Sequence, residues 1–369
     1  MNNILKLGAL AAVSTLVLAG CAANEDVAET PTSAAETPTE AVVELAGTLN
    51  GSGASSMAAG QEAWIAGFQI ANPGVTVNYD PTGSGTGRAQ FMTGATSFTG
   101  SDSYWKDEEL LEDFPSCVAG TMPWEFPIWI SPIAIIFNLD GVSSLNMDGA
   151  TVAGIFAGEI TMWNDAAIAA VNPDVALPDL AITAVHRSDE SGTSKNFTDY
   201  LSAVAGDTWT VGAIEAWPAE FGGEGAQGTS GVVSAVTGGN GTIGYADASR
   251  AGDLGTVAVK VGTDYVSYSA EAAAAVVDAS PLVEGRESYD LATNIDRNTT
   301  ASGAYPIVLV SYLMGCNDYM DDAQAELVRA WASFLVSEEG QNAAAASAGN
   351  APISAGLRAK AQDIIDAIK

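Results

Sequence analysis

Three times in this chain an apolar, strand-like run breaks on glycine and serine and restarts as a helix. Residues 45–50 lead through Gly51-Ser52-Gly53-Ala54-Ser55-Ser56 into a helical pattern over 57–70, with Trp64, Ile65 and Phe68 on one face. Residues 75–79 lead through Pro81-Thr82-Gly83-Ser84-Gly85-Thr86-Gly87 into a short helix carrying Arg88, Phe91 and Met92. Residues 182–185 lead through Arg187-Ser188-Asp189-Glu190-Ser191-Gly192-Thr193-Ser194 into a helix from Lys195. Strand, turn and helix repeated in this way specify an α/β fold with partly parallel sheets. Ligands in such folds sit beyond the carboxyl ends of the strands, which is where these three turns fall.

The turns share a chemistry. A helix start leaves backbone N–H groups without intrahelical partners, and serine and threonine add hydroxyl donors, so each turn is a local anion site. Arg187 contributes a fixed positive charge on a planar donor fork, and Asp189, two positions on, is placed to hold that fork still. A further short strand over 97–100 ends on Ser101-Asp102. The apolar run over 128–139, interrupted by Ser131-Pro132, is too short to span a membrane and suits a strand crossing between two lobes. Residues 152–156 and 166–171 read as helices, the second capped by Trp163-Asn164-Asp165; 305–312 reads as a strand, and 321–335 and 357–368 as closing helices. Gly239-Asn240-Gly241-Thr242-Ile243-Gly244 has the glycine spacing of a dinucleotide loop but lacks the following acid, and it reads as a turn into a strand.

Composition limits the alternatives. The 369 residues carry 45 acids against 13 Lys and Arg, a net charge of −32. Such a surface repels phosphate backbones, so no nucleic-acid partner is expected. It also repels a free anion at long range, so any capture must be local. A single histidine, His186, and three cysteines argue against a zinc cluster and leave few options for a Ser-His-Asp hydrolase; no metal, cofactor or catalytic group is expected. Ser103-Tyr104-Trp105-Lys106 fits Ser-x-x-Lys, but the Ser-Asp-Asn and Lys-Thr-Gly partners of that enzyme class are missing.

The first 21 residues have the layout of a secretory signal: Lys6, an apolar run over 7–18, then Leu18-Ala19-Gly20-Cys21. The last four resemble a bacterial lipobox, which implies a lipidated Cys21 at the mature N-terminus. Residues 22–44, rich in Ala, Glu, Thr and Pro, cannot bury a core and read as a disordered acidic tether. Together they place the folded part outside the cytoplasm, anchored to the membrane. Cys117 and Cys316 remain as an even pair that an exported location permits to bond.

These pieces resemble the phosphate-binding lipoproteins of bacterial high-affinity Pst-type ABC transporters. The resemblance covers nearly the whole chain after the tether. It is carried by Gly51-Ser52-Gly53-Ala54-Ser55, Gly83-Ser84-Gly85, Gly100-Ser101-Asp102, Gly158-Glu159-Ile160-Thr161-Met162-Trp163-Asn164-Asp165, Asn172-Pro173 and Leu177-Pro178-Asp179. Arg187-x-Asp189-x-Ser191-Gly192-Thr193-Ser194, Gly241-Thr242-Ile243-Gly244-Tyr245 and Tyr305-Pro306-Ile307 continue it. It implies a monomeric, two-lobed periplasmic-binding-protein fold of type II that captures inorganic phosphate for an ABC permease and performs no catalysis. Lobe I would be residues 45–130 and 303–369 and lobe II 131–302, with hinges near Ile130-Ser131 and Ala304-Tyr305. Both spare cysteines then fall in lobe I, as a Cys117–Cys316 disulfide needs. The implied phosphate ligands are Ser55, Ser56, Ser84, Asp102, Arg187, Ser191, Gly192 and Thr193, with Asp189 bracing the arginine. Arg88 would add positive charge behind them. Ser56-Met57 stands where many members have an aromatic and a proline, a change that a ligand made through the Ser56 N–H survives. Capture of another tetrahedral oxyanion, such as sulfate or molybdate, is the nearest alternative, and Asp102 argues against it by calling for a protonated ligand.

Overall fold

The computed structural model describes residues 45–369. The expected signal (1–21), lipidated Cys21 and tether (22–44) lie outside the described residues.

The first part of the chain alternates strand and helix. β1 (Gly47–Gly53) leads into α1 (Ala58–Ala71), β2 (Val75–Asp80) into α2 (Ser84–Met92), and β3 (Phe98–Ser101) into a long loop. β1 pairs in parallel with β2 and β3, so the three strands end on the same edge. The buried face of α1 is Trp64 and Phe68, with Ile65 half-buried.

The hub is β4 (Pro123–Asn138), buried at every position but its last. Over 123–132 it pairs antiparallel with β11 (Val308–Cys316), and over 133–138 with β8 (Thr242–Asp247). Pro132 is its last partner position toward β11, and a proline has no N–H to continue a ladder. The strand starts five residues before the apolar run expected from sequence, because Pro123 and Glu125 interrupt an otherwise apolar segment whose two faces are both covered. β11, by contrast, begins later than expected: Pro306 keeps Tyr305 out of the ladder, and the Tyr305 hydroxyl donates instead to the Ile133 carbonyl at 2.8 Å.

Beyond β4 the chain builds a second half of the same sheet. β5 (Ser144–Met147), α3 (Gly149–Phe156) and α4 (Ala166–Ala170) precede β6 (Thr183–Arg187) and α5 (Gly192–Ala205); β7 (Glu224–Ala226) then leads into α6 (Gly228–Gly238) and β8. Asp165 caps α4 by accepting from the Ala167 N–H at 2.8 Å. β6 pairs in parallel with both β7 and β8, and the glycine-spaced segment before β8 is the turn expected. β9 (Gly255–Val261) pairs with β4, β5 and β10 (Asp264–Val266), and α7 (Ala270–Ala279) follows. The sheet order is β2-β1-β3-β11-β4-β8-β6-β7.

α8 (Asp322–Val336), α9 (Glu338–Ala348) and α10 (Ala355–Asp366) close the chain against the first half. α9 is illegible in the sequence, since its alanines show no apolar period. It is held by contact: the Trp64 indole N–H donates to the Gly340 carbonyl at 2.8 Å.

Cys117 and Cys316 form a disulfide that ties the loop before β4 to the end of β11, 199 residues apart in sequence. Closing so long a loop restricts the unfolded chain. Replacing both cysteines by alanine is expected to lower the unfolding free energy by about 2–5 kcal/mol in guanidinium titration.

Candidate functional site

Five strand ends converge. The segments following β1, β2, β3, β6 and β7 all leave parallel strands at their carboxyl ends, and the first three face the last two. All eight residues expected to form an anion site lie there and are buried.

Asp102 is the centre. It follows β3 and is 3 % exposed. One carboxylate oxygen, Oδ1, accepts from the Ser56 hydroxyl at 2.7 Å and the Ser311 hydroxyl at 2.8 Å. The other, Oδ2, accepts from the Thr193 hydroxyl at 2.9 Å. Two oxygens offer about four lone-pair positions, so three hydroxyls leave one of them on Oδ2. Burial pushes the Asp102 carboxyl above its ordinary range, against the hydroxyls and Arg187, which favour the ionised form. The hydroxyls of Ser56 and Thr193 are thus committed to the acid, and what these two residues can still give an anion is their backbone N–H.

The remaining serines are set the other way. Ser84 Oγ accepts from the Asp102 N–H at 3.0 Å, Ser191 Oγ from the Ser194 N–H at 3.1 Å, and Ser55 Oγ from the Thr229 N–H at 3.1 Å. Each spends an oxygen lone pair on a backbone donor; Ser84 and Ser191 keep their hydroxyl hydrogens to give, while Ser55 Oγ also lies 3.2 Å from Thr229 Oγ1, with which it shares a hydroxyl hydrogen bond. Gly192 and Thr193 open α5, whose first-turn N–H groups have no intrahelical acceptor. α5 starts three residues earlier than expected, because Ser191 caps it in extended backbone.

Arg187, buried at the end of β6, gives its Nε–H to Asp189 Oδ1 at 2.7 Å, and its Nη2 pairs with Asp189 Oδ2. Asp189 also accepts from the Gly228 N–H at 3.0 Å. Burial opposes its charge, but Arg187 and the backbone donors outweigh that and hold its carboxyl below the ordinary range. The ion pair leaves the Nη1 edge of the fork without a partner among the described residues.

Lys106 and His186 are engaged away from this centre, whereas Arg88 lies behind it and reaches it through Ser101. Lys106 Nζ is 2.9 Å from Glu215 Oε2, so the lysine of the Ser-x-x-Lys pattern is engaged elsewhere. His186 stacks on Trp217 with ring centroids 4.8 Å apart, and its Nδ1 lies 2.9 Å from the Arg187 carbonyl oxygen. Arg88 is fully buried, bound to Glu109, Ser101 and Glu215.

A PBP superfamily domain model matches residues 31–339. Phosphate-binding protein PstS 3 of Mycobacterium leprae is 34% identical over 330 residues, 88% of this chain and 87% of that protein. The chain belongs to the PstS family of phosphate-binding proteins. Phosphate-binding protein PstS2 of Mycobacterium bovis is 31% identical over 367 residues, 97% of either chain. The solved structure of PfluDING, a high-affinity periplasmic phosphate-binding protein bound with phosphate, matches with a TM-score of 0.68 at 22% identity, over 86% of this chain and 93% of that one. That likeness shows the α/β periplasmic-binding-protein fold expected from sequence.

Within this PstS-family site, reading the sequence missed several contributors. Gly228-Thr229-Ser230 repeats Gly192-Thr193-Ser194 at the start of another helix, a signal that was available. Ser311 is a lone serine in the wholly buried β11, which is also a signal. Asn196, which donates to the Asp102 carbonyl at 2.7 Å and the Gly192 carbonyl at 2.9 Å, has none.

Gly192 is required by space. A Cβ there would lie 2.6 Å from Asp102 Cβ and 2.7 Å from Ser84 Oγ. Gly192→Ala is expected to cost about 1–3 kcal/mol by overpacking, seen as a lowered midpoint in thermal or denaturant unfolding.

Proposed function

We propose that this protein is an extracytoplasmic, lipid-anchored solute-binding protein that captures inorganic phosphate and delivers it to the permease of an ABC importer. The ligands are Ser55, Ser56, Ser84, Asp102, Arg187, Ser191, Gly192 and Thr193, with Asp189 bracing the arginine. Lobe I comprises residues 45–130 and 303–369 and lobe II 131–302, hinged near Ile130-Ser131 and Ala304-Tyr305. Cys21 carries the lipid, and residues 22–44 are the tether. Family membership supports phosphate as ligand. The partner change along β4 and its long pairing with β11 support two halves joined by crossing strands.

The observation that carries the reading is the arrangement around Asp102. Helix starts, free hydroxyl hydrogens and the open edge of Arg187 can neutralise a tetrahedral anion without a metal. They do not by themselves distinguish phosphate from sulfate. Phosphate near neutral pH keeps at least one P–OH, and the remaining lone pair on Asp102 Oδ2 is an acceptor for it. Sulfate brings no proton and would set a buried carboxylate against an anion with nothing between them. Unmatched buried polar groups give the largest discrimination a site can achieve. Binding itself needs no bond to break, so the site has the parts of a receptor and not of an enzyme.

Calorimetry of residues 45–369 with phosphate, arsenate and sulfate tests this. Phosphate and arsenate should bind and sulfate should not. Asp102→Asn should weaken phosphate by about 100-fold or more and narrow the gap to sulfate. Equal phosphate and sulfate binding in both proteins would overturn the assignment.

A further inference from the structure

Glu215 lies in the loop after α5, on the β6–β8 half of the sheet, and reaches the other half. Its Oε2 accepts from Arg88 Nη2 at 2.8 Å and Lys106 Nζ at 2.9 Å. Arg88 sits on α2 and Lys106 follows β3. Arg88 is anchored on its own side: Nε donates to Glu109 at 3.0 Å, and Nη1 to Ser101 Oγ at 2.9 Å. Only its Nη2 spans the gap.

These contacts form part of a ring. The Glu215 backbone carbonyl accepts from the Ser191 N–H at 3.0 Å, so the residue that reaches Arg88 also holds the cap of α5. On the opposite side, Ser101, which receives Arg88, directly precedes Asp102. Thr193 closes the ring on Asp102 Oδ2 at 2.9 Å. The route thus runs from the acid through Ser101, Arg88, Glu215 and the start of α5 back to the acid. A displacement of Glu215 moves the anion donors of one side relative to the acceptor on the other.

Resting on the phosphate-receptor reading above, we infer that Glu215, with Arg88 and Lys106, is a clasp that holds the two halves together and sets the rate at which bound phosphate escapes. It is a positioning group and touches no ligand. Burial pushes the Glu215 carboxyl up, but Arg88 and Lys106 outweigh that and hold it at about 2, so it is charged at any physiological pH. The clasp is built to open. Glu215 Oε1 is buried with no partner among the described residues, and parting the halves would let water reach it. Arg88 keeps its bonds to Glu109 and Ser101 when Nη2 lets go. A groove of about 240 Å³ lined by Lys106, Glu190, Lys195 and Glu215 brings solvent ions to the outer side of the pair. The interaction is therefore sensitive to salt where a fully enclosed pair is not.

Stopped-flow tryptophan fluorescence of the full chain with inorganic phosphate reads the two rate constants separately. Losing one partner of a hydrogen-bonded charge pair acts on dissociation. Glu215→Gln should raise koff by about tenfold or more and change kon by less than about threefold. Raising salt from about 0.05 to about 0.5 M should speed release from the native protein and leave Glu215→Gln unchanged. An unchanged koff, or an effect confined to kon, overturns the clasp. Lys106→Met, at a half-exposed amine, should give a smaller rise in koff with a weaker salt response even if Glu215→Gln fails to fold; a native koff and salt response in it would also overturn the proposal. Small-angle scattering without ligand separates the clasp from the phosphate reading. If the native protein bound no phosphate, that reading would fail, yet the clasp would still require a larger radius of gyration in Glu215→Gln or Lys106→Met than in the native protein. Equal radii would exclude it.

Discussion

One buried carboxylate organises this molecule. Asp102 is taken out of water and must be met by donors, because an unpaired charge in that position would cost several kcal/mol. The donors come from the segment after β1 (Ser56), the start of α5 (Thr193) and the middle of β11 (Ser311). These elements are distant in sequence and belong to both halves of the sheet. Satisfying one group therefore fixes the relation of three strand ends, and the remaining serines follow. The Asp102 N–H turns Ser84, and the Asp102 carbonyl receives Asn196 from α5.

The sheet makes this convergence possible. Parallel pairing of β1 with β2 and β3, and of β6 with β7 and β8, puts five turns on facing edges, where helix starts expose their N–H groups. β4 joins the two sets by exchanging β11 for β8 after Pro132. In a protein of net charge −32, an anion is attracted only at short range, by backbone dipoles and the few cations placed there. Arg187 and Arg88 are both fully or almost fully buried, and each is held by carboxylates that fix its direction.

Much of this is legible in the amino-acid sequence. The Gly/Ser turns announced the parallel strands because few other residues tolerate such close backbone approach and still offer donors. Gly192, whose Cβ would collide with Asp102, is the clearest case. Arg187 and Asp189 were legible as a pair because two residues at the end of a strand place their side chains together. Helices with an apolar period, such as α1 and α8, were found within a few residues of their ends. α6, α7 and α9 were not, since their buried faces are made of small residues, such as Ala272, Ala273, Val276 and Val277 in α7, which stand out little from the Ala and Gly around them in sequence.

What the amino-acid order determined by itself was local: which segments turn, which helix starts carry hydroxyls, and which acid follows β3. The partners of that acid were decided only by the tertiary structure. Asn196 is an ordinary asparagine in a helix, and Ser311 stands out only as a lone serine in an apolar run, with no sign of its partner, until the fold brings both to Asp102. The same holds for Glu215, one of 45 acids in the chain, which becomes distinct only by facing Arg88 and Lys106 across the sheet halves. A side chain's local pattern reports its own element, whereas its charge partner depends on how separate elements pack. Long-range partners such as these leave no periodicity to read.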